Sequence, residues 1–218
     1  MSELLLRTKL TPPLVPQALV TRQRLLDRLD EGLIQAQGFG RKVTLISAPP
    51  GYGKTSLAVE WLQGGQLAFA WLALDEEDKD PARFLLYLVA ALQGANEALG
   101  HEAQALLASP RPPPAETILT TLINEISLLG IPLILVMDDI HVIQIQPIHQ
   151  QMDFLVEHQP ECLHLVILSR EDPPLPLHLL RDRRQMLEIH QDELRFSPHG
   201  ERRFLQPGDG DRPGRARH

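Results

Sequence analysis

The sequence predicts an α/β fold of three layers, with helices on both faces of a five-stranded, mostly parallel sheet. Three observations predict it. Short apolar runs of strand length, at 43–46, 67–74, 133–137, 163–168 and 186–189, are separated by segments with helical periodicity. Strands that alternate with helices in this way lie parallel and carry their crossovers on both faces. A Pro/Gly loop then joins the first run to a helix, and the polar residues Ser47, Asp138 and Ser169 stand at the carboxyl ends of three runs. That edge is where such sheets bind ligands.

Each element has a local reason. Pro12, Pro13 and Pro16 punctuate 8–20, so 1–20 reads as an extended N-terminal segment. Thr21 is placed to cap a helix with Leu25, Leu29 and Leu33 on one face, and Gly38 and Gly40 end it. The helix after the first strand covers 56–62 and stops at Gly64 and Gly65. The second strand contains Trp71 and gives way to the acidic loop 75–80, which reads as a solvated connector or, less simply, as a metal site. Asp80 and Pro81 form a cap and first-turn pair for a helix burying Phe84, Leu85, Leu88, Val89 and Leu92. A further helix covers 97–107, and the proline run 109–114 is a linker. Ile118, Leu119, Leu122, Ile123, Ile126 and Leu129 mark an amphipathic helix closed by Gly130. Another starts near Pro147, and a short basic helix follows Pro176.

Composition narrows the class. The chain has 218 residues with 43% hydrophobic content, enough for one substantial core. A net charge of -7 argues against a general nucleic-acid-binding surface. The single cysteine, Cys162, excludes an internal disulfide framework. No apolar run approaches the ~20 residues of a membrane span, and the start is charged too soon for a secretory signal. A cytoplasmic location with no membrane partner is expected.

The loop after the first strand reads Ala48, Pro49, Pro50, Gly51, Tyr52, Gly53, Lys54, Thr55, Ser56. It has the strand–loop–helix context of a P-loop NTPase, with Ala48 where a first Gly is expected. Gly51 and Gly53 let backbone N–H groups turn around an anion, and the helix N-terminus adds positive potential. Lys54 can reach β- and γ-phosphates, and the Thr55 hydroxyl can ligate Mg²⁺. Asp138 ends an apolar strand as a Walker B carboxylate does, and would hold the same metal. Asp139 is the candidate to orient water for attack, with a turn or capping role as the alternative. Arg170 either detects a γ-phosphate or pairs with Glu171 or Asp172. Arg181, Arg183 and Arg184 suit a lid or a charged helix face. The nine histidines show no metal-ligand spacing; His141 alone stands beside the Asp pair, its role open.

These residues, in this order, resemble the nucleotide-binding domain of the STAND class of ATPases. Within it the chain is similar to the MalT-type, large ATP-binding LuxR-family transcriptional regulators. The likeness runs through Arg7-Thr-Lys-Leu10, Val20-Thr-Arg22, Ala48 to Thr55, Trp71 to Asp75, Asp80 to Phe84, Leu135 to Asp139, Ser169-Arg170 and Asp192 to Phe196. That family tolerates Ala at the position of Ala48. The resemblance implies an AAA+/STAND-like sheet in which the fourth strand separates the Walker B strand from the P-loop strand. It implies ATP or ADP with Mg²⁺ as ligands, Arg170 in the sensor position, and Val20 and Arg22 near the adenine. It also implies a slowly hydrolysing regulatory switch of a transcriptional activator, self-associating in its ATP-bound state.

Residues 21–196 would form this nucleotide-binding domain. The family's sensor and DNA-binding domains are not recognisable in the sequence, so no DNA binding is expected from this chain alone. The tail 197–218 has little apolar periodicity and reads as disordered or aberrant, a reading-frame slip near residue 199. Two other functions remain open at this level: a small-molecule kinase using Asp75 and the Arg181 to Arg184 run, and a nucleotide-binding module without hydrolysis.

Overall fold

A computed structural model describes residues 5–15, 21–36 and 38–195. Val20, the end of the N-terminal segment and the whole tail 197–218 lie outside the described residues.

Five strands form one parallel sheet: β3 (Val43–Ser47), β4 (Ala68–Ala73), β5 (Leu133–Asp138), β6 (Leu163–Ser169) and β7 (Met186–His190). Their order is β4-β5-β6-β3-β7, so β6 lies between the strand that ends in Asp138 and the strand that feeds the Gly-rich loop. The expected separation is therefore present. Its register brings Ser47 level with Ser169, and Ala73 level with Asp138, at the carboxyl edge.

Alternation along the strands divides the core into two halves. Leu45, Leu135, Met137 and Ile167 face one side, where α3 (Pro81–Ala95), α4 (His101–Leu107), α5 (Ala115–Leu129), α6 (Gln146–His158) and α7 (Leu177–Asp182) cover them. Ile46, Ile134, Val136 and Leu168 face the other, against α1 (Gln23–Asp30), α2 (Lys54–Gly64) and α8 (Gln191–Leu194). The central strands β3, β5 and β6 are buried along their whole length, which is why they read as mostly apolar runs, broken only by Thr44 in β3 and His164 in β6, rather than as alternation.

Local signals held where the cause was local. The Asp80 carboxylate accepts from the Arg83 amide (2.8 Å) and caps α3, with Pro81 in its first turn. Gly130 ends α5 at φ 63°. Other expectations need correction. Thr21 does not cap α1; Arg22 holds the N-cap position and no side chain caps there. That helix ends at Asp30, and a short antiparallel hairpin follows, β1 (Ile34–Gln35) with β2 (Gly38–Phe39). Gly38 is needed in it, because at φ 133° a Cβ would stand 2.5 Å from the Glu161 carbonyl oxygen. The helix expected over 97–107 forms only from His101.

The N-terminal segment is not simply extended: Arg7–Leu10 makes a 3₁₀ turn. It brings Lys9 onto the acidic loop, where Nζ meets Asp75 Oδ2 at 2.6 Å and Asp78 Oδ2 at 2.7 Å. Asp78 is fully buried, while Glu76, Glu77, Lys79 and Asp80 are exposed, so the loop is a solvated connector pinned at one residue. It is not a metal site: the lysine occupies the carboxylates, and no cluster of metal-ligating side chains occurs among the described residues.

Candidate functional site

The site begins where β3 runs out. After Ala48 the chain turns through Gly51 (φ 86°) and Gly53 (φ 76°), left-handed conformations that side chains resist. A Cβ on Gly51 would meet nothing within 4 Å, so its backbone borders open space. Gly53 is the N-cap of α2, whose first turn carries Lys54, Thr55 and Ser56. The loop thus directs a helix N-terminus and its free N–H groups into the space it encloses.

Lys54 is only 7% exposed, and its Nζ donates to the carbonyls of Ala48 (2.7 Å) and Pro49 (3.4 Å). Burial lowers its pKa against the pull of Asp139 and Asp138, and Arg170 lowers it further. The ammonium is therefore held by neutral carbonyls, close to carboxylates but bonded to neither.

Opposite it, Thr55 Oγ1 donates to Asp138 Oδ2 at 3.1 Å. Asp138 is 6% exposed and its pKa is pushed up to about 6, first by burial and then by the Asp139 charge. The Thr55 hydroxyl, the Asp139 amide (3.0 Å to Oδ1) and Lys54 oppose that rise. Asp139 itself has φ 58°, one of two non-glycine residues with positive φ among those described. A short polar side chain tolerates this conformation best, and the turn aims its half-exposed carboxylate away from the strand. A 3₁₀ turn, Ile140–Val142, follows at once.

Arg170 is exposed at the end of β6, near enough to Lys54 and His141 to depress both. It makes no ion pair among the described residues. Asp172, one of its expected partners, instead bonds Arg181 (3.3 Å). Arg181 is committed to Glu188 as well, at 2.6 Å, which leaves the kinase-like lid without its first arginine.

On the other side of the loop, Arg22 Nη1 donates to the Tyr52 carbonyl (3.0 Å), and its guanidinium lies against Gly53. A cavity of about 380 Å³ opens there between Arg22, Pro50, Gly51, Tyr52, Leu194 and Arg195. Leu194 and Arg195 were not singled out from the sequence as site residues. Their only signal was membership of the 192–196 motif. A second cavity of about 380 Å³, lined by Arg41, Gln159 and Gln185, lies at the amino ends of the strands, far from this chemistry.

No family model matches the chain. Over 202 residues, 93% of its length, it is 38% identical to the HTH-type transcriptional regulator MalT of Serratia proteamaculans (strain 568). With MalT of Yersinia pestis (strain Pestoides F) it shares 37% identity over 203 residues. This chain resembles MalT over nearly its whole length. The likeness inferred from the ordered motifs is matched at that scale, although the chain spans only 22% of the length of either MalT. Among solved structures it is similar to Cdc6p of Pyrobaculum aerophilum, with a TM-score of 0.55 and 14% identity over 85% of this chain and 49% of that one. It is also similar to the Orc1 protein of Aeropyrum pernix, solved in complex with DNA, with a TM-score of 0.54 and 18% identity over 88% of this chain and 52% of that one. Both likenesses concern the fold alone, a five-stranded parallel sheet with helices on both faces.

Proposed function

We propose that this MalT-like chain is an ATP-binding, slowly hydrolysing switch domain of a transcriptional activator. The observation that carries the reading is the meeting of Thr55 with Asp138 beside a glycine loop that already encloses Lys54. A hydroxyl and a carboxylate 3.1 Å apart, at the mouth of an anion-binding loop, form a donor set suited to a hard divalent cation. The open space inside Gly51 suits phosphate oxygens.

Bound Mg²⁺ would supply charge neutralisation between the β- and γ-phosphates. Thr55 and Asp138 would hold it, and the loop amides and the α2 N-terminus would bind phosphate. Lys54 would exchange the carbonyls of Ala48 and Pro49 for phosphate oxygens, gaining an anionic partner in a buried setting. Asp139 would accept a proton from the attacking water, and Arg170 would sense the γ-phosphate. The cavity beside Arg22 suits the base and ribose, with Pro50, Gly51 and Tyr52 of the loop in its wall.

The experiment is calorimetric titration of the purified chain with ATP, ADP and GTP, with and without Mg²⁺. Adenine nucleotides are expected to bind in a Mg²⁺-assisted manner, with turnover well below the ~10 s⁻¹ typical of metabolic enzymes. No heat with millimolar nucleotide, or transfer of phosphate to a small acceptor instead of its release, would contradict the reading. Self-association in the ATP-bound state is a further expectation, read from sedimentation with each nucleotide.

A further inference from the structure

His141 has no part in the scheme above, yet it stands inside the site. Its ring is 12% exposed, its Nδ1 is buried without a hydrogen-bond partner, and that atom lies 3.7 Å from Asp139 Oδ1. Lys54, Arg170 and Glu171 are the other charged groups whose fields reach the ring. The spacing comes from the backbone: Asp139 in its left-handed conformation starts the 3₁₀ turn, which places the side chain two residues on beside its own carboxylate. A separation of 3.7 Å is too long for a hydrogen bond and short enough for one rotamer adjustment to make it.

From this geometry we infer that His141 is a positioning residue for Asp139, its Nδ1–H steadying one carboxylate oxygen so that the other faces the attacking water. The inference rests on the hydrolytic reading of the site. Burial keeps the imidazole neutral, so it carries one proton, and the neighbouring carboxylate selects Nδ1 as its seat. A fixed carboxylate matters because misplacing a base costs rate without costing affinity.

Two measurements test it. Imidazole ¹⁵N spectra of the nucleotide-free protein should find the Nδ1-protonated tautomer of His141, reverting toward Nε2–H in Asp139→Ala. An Nε2–H ring in the wild type, or a ring indifferent to Asp139→Ala, would overturn the pairing whether or not nucleotide binds. In turnover, His141→Leu should lower kcat by roughly tenfold with ATP affinity within about twofold. His141→Asn, whose amide can donate from the Nδ1 position, should recover most of it. Adding His141→Leu to Asp139→Ala should cost nothing more. Equal rates in His141→Leu and wild type, no rescue by Asn, a parallel loss of affinity, or ATP bound without any turnover would each sink the positioning role. Failure of the site reading shows separately, as loss of nucleotide binding while the tautomer experiment still decides the pair.

Discussion

The two edges of the sheet bury polar groups in opposite ways. At the amino edge Arg41 and Lys42 both bond carbonyls. Arg41 donates to Leu29 and Glu31, the last carbonyls of α1, and Lys42 donates to Val156 (3.1 Å) and Glu157 (2.9 Å) at the end of α6. Both sit where a helix dipole is negative. His164 is wedged between the Arg41 carbonyl and the Thr44 hydroxyl, each 3.0 Å away, which fixes it as a neutral ring with its proton on Nδ1. At the carboxyl edge two consecutive carboxylates face a lysine that bonds neither, and a backbone residue holds positive φ. At one edge Arg41, Lys42 and His164 bond to the chain itself, although Arg41 Nε, Gln159 Oε1 and Gln185 Oε1 are buried there without a hydrogen-bond partner. The other holds Lys54, Asp138 and Asp139 close together with no ion pair between the lysine and either carboxylate, a deficit that a fold tolerates where binding recovers it.

The largest expected effect would come from breaking the buried hydrogen bonds of His164 at the amino edge. His164→Leu strands the Thr44 hydroxyl and the Arg41 carbonyl in the core and should cost about 3 kcal/mol in urea unfolding, with nucleotide affinity unchanged. A similar energy at the other edge should appear in binding alone: Lys54→Ala should weaken ATP by on the order of 100-fold in calorimetry, with little change in melting temperature.

Proton linkage sharpens the contrast. Burial pushes the His164 pKa down to about 3, so the unfolded chain binds the extra proton between there and the ordinary histidine value of 6.5, and stability falls as pH drops through that window. Asp138, pushed up from 3.8 to about 6, does the reverse: the folded chain keeps the extra proton, and stability falls as pH rises from 3.8 to about 6. Between about pH 4 and 6 the two oppose each other. Asp138→Asn should therefore gain stability over wild type by about 1.4 kcal/mol per pH unit across that range, read from urea melts, while losing Mg²⁺-dependent nucleotide binding. A flat difference would mean Asp138 is not held protonated. The smallest effect should be at Arg181: its exposed pairs with Glu188 and Asp172 make Arg181→Ala cost less than about 1 kcal/mol, with no change in nucleotide affinity. A large loss of affinity there would revive the lid.

Much of this was legible in the chain because its causes are local. The mostly apolar runs of β3, β5 and β6 announced buried strands, and Asp80-Pro81 and Gly130 marked α3 and α5 through hydrogen bonds and backbone angles within a few residues. The glycine loop and Asp138 were visible as candidates for the same reason, since a phosphate loop is written in consecutive residues. Lys9 reading onto Asp78, Gly38 pressed on Glu161, and Leu194 and Arg195 beside Tyr52 were not visible, because each partner is far away in sequence. The acidic loop shows the difference: its composition suggests solvent, and the approach of Lys9 and Arg83 is what lets the one carboxylate of Asp78 be buried.

By itself, then, the order of residues determined the strands and helices, the Gly-rich loop and the carboxylates available to it, since these follow from periodicity, turn chemistry and spacing along one chain. The place of β6 between β3 and β5 and the meeting of Thr55 with Asp138 were expected only through motif and family resemblance, and it is the tertiary structure that produces them. It also decided that His141 would stand against Asp139 while Arg181 was spent on Glu188. Those outcomes depend on how separate segments pack side by side, and a distance across a sheet is set by every layer that covers it.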